Sequence, residues 1–230
     1  MKFLTNQETA IVIKFGCEEH LKKLQQGDLY VCPLKKYVED EKLKPGIFDK
    51  SEGVSKYGKT ICINMGKTTK TLTFKSSLDY PIFCLFKPNY NIYNGVYKIN
   101  YKKDIFPGYS HALVMDANKL YEKISKSCGN KYTFAYHDVV YGKSSGLIMA
   151  PFQKNEEFKE QNEIRYAFFD LDKCRDKNSE GVDVYGAPTI DINGEVLLNI
   201  EDLREISKLV RKEELDGMEF RIDWKFKFTI

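Results

Sequence analysis

The chain has 230 residues, 42% hydrophobic and 30% charged, a globular composition with enough length for a sizeable core. Its 36 basic and 33 acidic side chains leave a net charge of +3, too near balance for a protein that works mainly by coating a phosphate backbone. No apolar run approaches the ~20 residues that span a bilayer, and Asn6, Gln7 and Glu8 break the N-terminal stretch below signal-peptide length, so no membrane partner and a cytoplasmic location are expected.

In chain order, residues 9–16 (TAIVIKFG) are β-branched and apolar and read as a strand. In 17–27, Leu21 and Leu24 stand three apart among charges and Gly27 closes the segment, which predicts a short amphipathic helix with a glycine cap. Residues 28–34 read as a second strand stopped by Pro33. Residues 35–58 are charged and glycine-bearing, a loop long enough to be functional. Residues 59–77 read as a hairpin turning at Gly66–Thr69, and 80–89 (YPIFCLFKPN) as a central buried strand. The segment GKTTK (66–70) lacks the frame of a phosphate loop, because Ile61 stands where the first glycine belongs.

Residues 88–109 are rich in turns, aromatics and lysines, a composition for stacking on a base or for packing on a sheet. Residues 110–116 read as a strand, and 117–127 as a helix with Leu120 and Ile124 on one face. Strands are expected at 131–142 and 162–172, a helix at 152–161 around Phe152 and Phe158, and a hairpin at 188–200 around Asn193-Gly194. Leu203, Ile206, Leu209 and Val210 predict a helix over 201–217, and the alternation in 218–230 a closing strand. No repeat and no linker stands out. The expectation is one α+β domain over 1–230, with strand-rich mixed sheets and three to four amphipathic helices.

The six cysteines, Cys17, Cys32, Cys62, Cys84, Cys128 and Cys174, form no metal- or redox-spaced pair and are expected as thiols. Of the three histidines, His137 with Asp138 offers half a metal site and no second half, so no metal is expected. His111, at a strand start, is a candidate ligand contact.

The segment KEQNEIRYAFFD (159–170) carries the most chemistry. On a strand, Glu163 and Arg165 share a face, joined by Gln161 if the strand begins early, while Ile164, Tyr166 and Phe168 take the other face as core. A carboxylate at a strand mouth beside an amide can hold a substrate hydroxyl and support a developing cation. The competing reading is an exposed Glu163–Arg165 pair of little worth.

The order of strand, short helix ending in glycine, strand, and much later a Gln-x-Glu opening a strand resembles ADP-ribosyltransferases. The resemblance implies NAD as co-substrate. It implies that Glu163 binds the 2′-hydroxyl of the nicotinamide ribose and supports an oxocarbenium-like transition state, and that Gln161 helps choose the acceptor. Glutamine there implies an acceptor other than arginine, such as a nucleobase. The family's first strand carries an Arg or a His that anchors the dinucleotide; here Lys14 stands on that strand. Of the family's Ser-Thr-Ser strand, TFKSS (73–77) is the nearest match. Arg165 and His111 complete the cofactor candidates.

The layout is also similar to bacterial and prophage proteins encoded near phage-defence genes, a group without an assigned activity. The matches are Leu24 to Tyr37, then Asp49, Glu52 and Gly53, then IFCLF, then Lys154, Gln161, Glu163 and Arg165. Together the two resemblances imply an ADP-ribosyltransferase-like toxin or defence protein, modifying a nucleic acid or protein acceptor in phage–host conflict. A non-catalytic nucleotide- or protein-binding inhibitor or sensor is the first alternative. Asp49 and Glu52, in the charged loop, could meet a basic ligand or a metal, and a metal-dependent nuclease drawing on Glu52, Glu163 and Lys154 is the second.

Overall fold

The computed structural model describes residues 10–34, 36, 59–65, 68–74, 81–129, 132–142, 150–170, 175–177, 183–185, 196–222 and 228–229. Asp49, Glu52 and the Asn193-Gly194 turn lie outside the described residues. The fold is α+β.

Strand β1 (Ile11–Gly16) is almost wholly buried, as its run of Ile, Val and Phe demands. Helix α1 (Glu18–Gln25) buries Leu21 and Leu24, carries Glu18 and Glu19 in its first turn and Lys22 and Lys23 in its last, and so matches its macrodipole. Gly27 then turns the chain at φ +104°, and a Cβ there would lie 2.5 Å from the Glu201 carbonyl oxygen, so only glycine fits. Strand β2 (Asp28–Pro33) follows. Strands β3 (Lys59–Met65) and β4 (Thr68–Phe74) form the expected hairpin, and β5 (Pro81–Phe86) is the expected buried strand.

Strands β6 (Asn89–Tyr93) and β7 (Val96–Asn100) form a second hairpin around Asn94-Gly95, in the stretch read from sequence only as turn-rich. Both turn residues have positive φ, as the tight turn requires. Strand β8 (His111–Asp116) leads into helix α2 (Ala117–Cys128), capped by Asp116, whose side chain accepts from the Lys119 amide. Strands β9 (Tyr132–Asp138), β10 (Val140–Tyr141), β11 (Gln153–Lys154) and β12 (Glu163–Asp170) come next. They are followed by β13 (Arg175–Lys177), β14 (Asp183–Tyr185) and β15 (Val196–Asn199), and by β16 (Ser207–Arg211), β17 (Glu219–Ile222) and β18 (Phe228–Thr229).

Two expected helices are not α-helices. Residues 201–217 fold as a 3-10 turn (Arg204–Ile206), strand β16, and a second 3-10 turn (Lys212–Glu214). The apolar residues have a helical period, but β8 offers an edge, and Ser207 to Arg211 pair along it from Met115 to His111. Ladder hydrogen bonds and burial of Val210 outweigh local propensity there. Residues 152–161 likewise hold the end of a 3-10 turn (Ala150–Phe152), the short strand β11 and a 3-10 segment, Glu156–Gln161.

The main sheet has eight strands, in the order β15-β2-β5-β1-β8-β16, with β12 on β5 and β9 on β12. Its pairings are antiparallel. One face carries Val12, Phe83, Leu85, Leu113, Met115, Ile164, Tyr166 and Phe168, and packs on Leu21, Leu24, Leu120 and Ile124 of the two helices. Full burial of such a side chain stabilises by about 1.5–3 kcal/mol. The other face packs Ile11, Ile13, Phe15 and Phe86 against Ile99, Tyr101 and Phe220. Farther along it, Leu34, Ile82, Phe152 and Ala167 form a smaller cluster.

Strand β5 has an unusual edge. β12 covers one side from Ile82 to Phe86. The other side is shared: β2 pairs at Pro81 and Ile82, β1 at Phe86. Phe83, Cys84 and Leu85 lie where β2 and β1 part.

Cys17, Cys32, Cys84 and Cys128 are thiols. Among the described residues, no helix is long and apolar enough to cross a membrane.

Candidate functional site

The 3-10 segment Glu156–Gln161 ends at Asn162, whose φ of 38° and ψ of 57° are left-handed. Asparagine tolerates that conformation better than most residues. Its side-chain amide donates to the Lys87 carbonyl at 2.6 Å, and the Lys87 amide donates to the Asn162 carbonyl at 2.9 Å. This corner pins the start of β12 to the end of β5. From there alternation sends Ile164, Tyr166 and Phe168 into the helix-side core and Glu163 and Arg165 to the opposite face.

Lys154, Gln161, Glu163 and Arg165 come together in one buried cluster. Gln161 is 4% exposed, Glu163 6%, Arg165 1% and Lys154 5%. The Lys154 ammonium donates to Gln161 Oε1 at 2.7 Å and to Glu163 Oε1 at 2.9 Å. Arg165 donates to Glu163 Oε2 through Nε at 2.8 Å and NH2 at 2.6 Å, and through NH1 to the Pro151 carbonyl at 2.9 Å. Lys154 also lies 5.0 Å from the centre of the Phe158 ring. The expected exposed pair is therefore a buried network of charges.

Burial pushes the Glu163 carboxyl toward its neutral form, but the Arg165 and Lys154 charges and their hydrogen bonds outweigh it and hold the pKa at about 2. The group is ionised throughout the physiological range.

Backbone contacts fix the carboxylate's base. The Glu163 amide donates to the Tyr141 hydroxyl at 2.8 Å, and the Val139 amide donates to the Glu163 carbonyl at 2.9 Å. Burial, with Glu163 adding, pushes the Tyr141 phenol far above its usual range. Burial likewise pushes Tyr109 up to about 12, with Cys84 and Glu163 contributing. Tyr141 and Tyr109 were not among the residues read from sequence; a tyrosine before a glycine, or inside an aromatic loop, carries no distinguishing signal.

Lys14 is half-buried where β1 and β2 part. Its ammonium donates to the Cys84 carbonyl at 2.9 Å and lies 4.8 Å from the Phe83 ring centre. Desolvation lowers its pKa, opposed by Cys84 and Glu163. Lys14 thus supplies a side-chain donor to β5 where β1 and β2 part, and it adds positive charge near the cluster. His111 stands apart: its Nδ1 pairs with the Ser110 hydroxyl at 2.9 Å, and its Nε2 is 3.9 Å from Glu18.

His137 and Asp138 are committed locally. His137 Nδ1 donates to the Asp138 carbonyl at 2.6 Å, and Asp138 pairs with Lys87 at 2.7 Å. Among the described residues, no three His, Cys, Asp or Glu side chains are grouped to hold a metal ion.

A carboxylate offers about four lone-pair sites. Among the described residues, three of Glu163's receive Lys154 and the two Arg165 donors, and one on Oε1 can accept a further hydroxyl or N–H. Comparison with protein-family models, with curated proteins and with solved structures returns no match for the chain.

Proposed function

We propose that this cluster is the reaction centre of an NAD-using ADP-ribosyltransferase-like enzyme, with Glu163 as its catalytic carboxylate and a nucleic acid or protein as acceptor. One observation carries the reading: an ionised carboxylate and an amide two residues before it are held side by side at a strand mouth by one lysine. Burying such ions costs several kcal/mol each in desolvation, and well-packed apolar residues commonly stabilise a core as well or better. Strongly shifted, desolvated carboxylates with a specific charge partner concentrate at functional sites.

In this reading NAD supplies the ribosyl group and nicotinamide as the leaving group. The remaining lone pair on Glu163 Oε1 accepts the 2′-hydroxyl, and the fixed negative charge stands where the sugar becomes cationic. Arg165 and Lys154 hold that carboxylate in one geometry. Lys14 and Arg165 supply positive charge for the dinucleotide's phosphates. The setting of phage–host conflict rests on the second sequence resemblance alone.

The test is release of nicotinamide from NAD by the purified chain. Glu163→Gln should lower turnover at least ~100-fold, the order seen for loss of a transition-state electrostatic contact, with the fold intact by circular dichroism. A wild type that neither turns over NAD nor binds it ends the proposal.

A second reading has its own support: both Glu163 oxygens already engage cations, as suits a non-catalytic nucleotide- or protein-binding site. It requires that ligand binding, measured calorimetrically with NAD as the probe, survive Glu163→Gln while no turnover is detected in either form. Turnover abolished by a chelator and restored by a divalent cation would favour the nuclease alternative instead.

A further inference from the structure

We infer that His137 is a further catalytic residue of this site, the general base that takes the proton from an acceptor's O–H or ring N–H as that atom attacks the ribose. The inference rests on the ADP-ribosyl-transfer reading. A separate base is needed because Glu163 is a poor one: with a pKa of about 2 it does not hold a proton at neutral pH. His137 Nδ1 lies 2.6 Å from the Asp138 carbonyl oxygen. A carbonyl oxygen only accepts, so the proton of the neutral ring sits on Nδ1 and a lone pair sits on Nε2. Among the described residues no hydrogen bond engages Nε2.

Register places this ring beside the cluster. His137 and Arg165 are Cα partners across β9 and β12 and so share a face of the sheet. The Phe152 ring centre is 5.7 Å from that of His137, and the carbonyl of the preceding Pro151 accepts from Arg165. Glu163 is then the diagonal neighbour of His137, with roughly 7–8 Å between their Cα atoms. That spacing leaves room for an acceptor group between the imidazole and a sugar held on the carboxylate. His137 is half-buried where Glu163 is 6% exposed, so an acceptor arrives from the His137 side. In the step, the bond from ribose C1′ to the nicotinamide nitrogen breaks, and its electron pair leaves with nicotinamide. A lone pair of the acceptor forms the new bond to C1′. The acceptor's proton passes to Nε2, its bonding pair stays on the acceptor atom, and the imidazolium returns the proton to water.

The test uses water as the simplest O–H acceptor and azide as an acceptor that brings no proton, and measures how ADP-ribose from NAD divides between them. His137→Ala should lower transfer to water at least ~100-fold, the lower end for loss of a general base, and raise the azide-to-water ratio at least about tenfold, because azide needs no base. His137→Asn still offers an N–H to the Asp138 carbonyl but has nothing in place of Nε2, and should match His137→Ala. A merely structural role would lower transfer to both acceptors together. An unmoved ratio in a folded His137→Ala overturns the inference. Where that variant does not fold, a wild-type ratio in His137→Asn overturns it. Absence of any NAD turnover by the wild type overturns the transferase reading itself, and the inference with it; an active wild type whose ratio no variant moves overturns the inference alone.

Discussion

The two faces of β12 are built to different rules from the same eight residues. On one face Ile164 joins the apolar core, and Tyr166 and Phe168 make aromatic contacts with Phe83, Phe134, Tyr136 and each other, ring centres 4.5–6.4 Å apart. On the other, Glu163 and Arg165 meet Lys154 and Gln161 through hydrogen bonds of 2.6–2.9 Å. The apolar face tolerates changes that keep volume, because its attractions are many and non-directional. On the polar face the loss of any one ion costs stability, because each remaining ion was buried on the strength of its partner. Equal burial therefore does not mean equal reasons for burial.

Removing one partner should produce the largest effect. Arg165→Met should destabilise by roughly 3–5 kcal/mol, since it leaves Glu163 buried with Lys154 alone. Replacing Glu163, Lys154 and Arg165 together by apolar residues of similar size should be neutral or stabilising by about 1–4 kcal/mol. Urea unfolding of the two proteins breaks the comparison if they lose stability equally.

Acid should expose the same difference. The folded Glu163 pKa of about 2 lies below the ordinary carboxylate value of 4.5, so the folded chain holds on to its charge longer than the unfolded one. The stabilisation is present above pH 4.5 and is lost as pH falls toward 2, by roughly 3 kcal/mol at most. Stability measured against pH should lose this limb in the triply apolar variant and keep it in Phe168→Leu.

A backbone constraint comes next. Gly27→Ala should cost about 1–3 kcal/mol, because φ is +104° and the new methyl meets the Glu201 carbonyl at 2.5 Å. Thermal unfolding reads it. The smallest effect belongs to the solvent side of α1, where Lys23→Ala removes an exposed pair with Glu19 and should move stability by less than ~0.5 kcal/mol.

The polar face of β12 was legible in the sequence because period-two alternation separates Glu163 and Arg165 from Ile164 and Tyr166 without knowledge of the rest. Its burial was not legible. What surrounds Glu163 comes from β10, β11 and the start of the chain, and long-range contacts leave no mark on local pattern. The 201–217 segment shows the converse: its periodicity is helical, yet the edge of β8 takes Ser207–Arg211 as a strand. The Asn94-Gly95 turn had the same signal as Asn193-Gly194 but was lost among neighbouring aromatics. Charge in the 35–58 stretch of the sequence suggested Asp49 and Glu52, which lie outside the described residues.

The parting of β1 and β2 along β5 makes Lys14 a side-chain rung between strands. Its ammonium donates to the Cys84 carbonyl of β5. A backbone amide is fixed by its strand, whereas this donor ends a four-carbon stem, so the sheet is held at this corner by a contact that can change place without any strand moving.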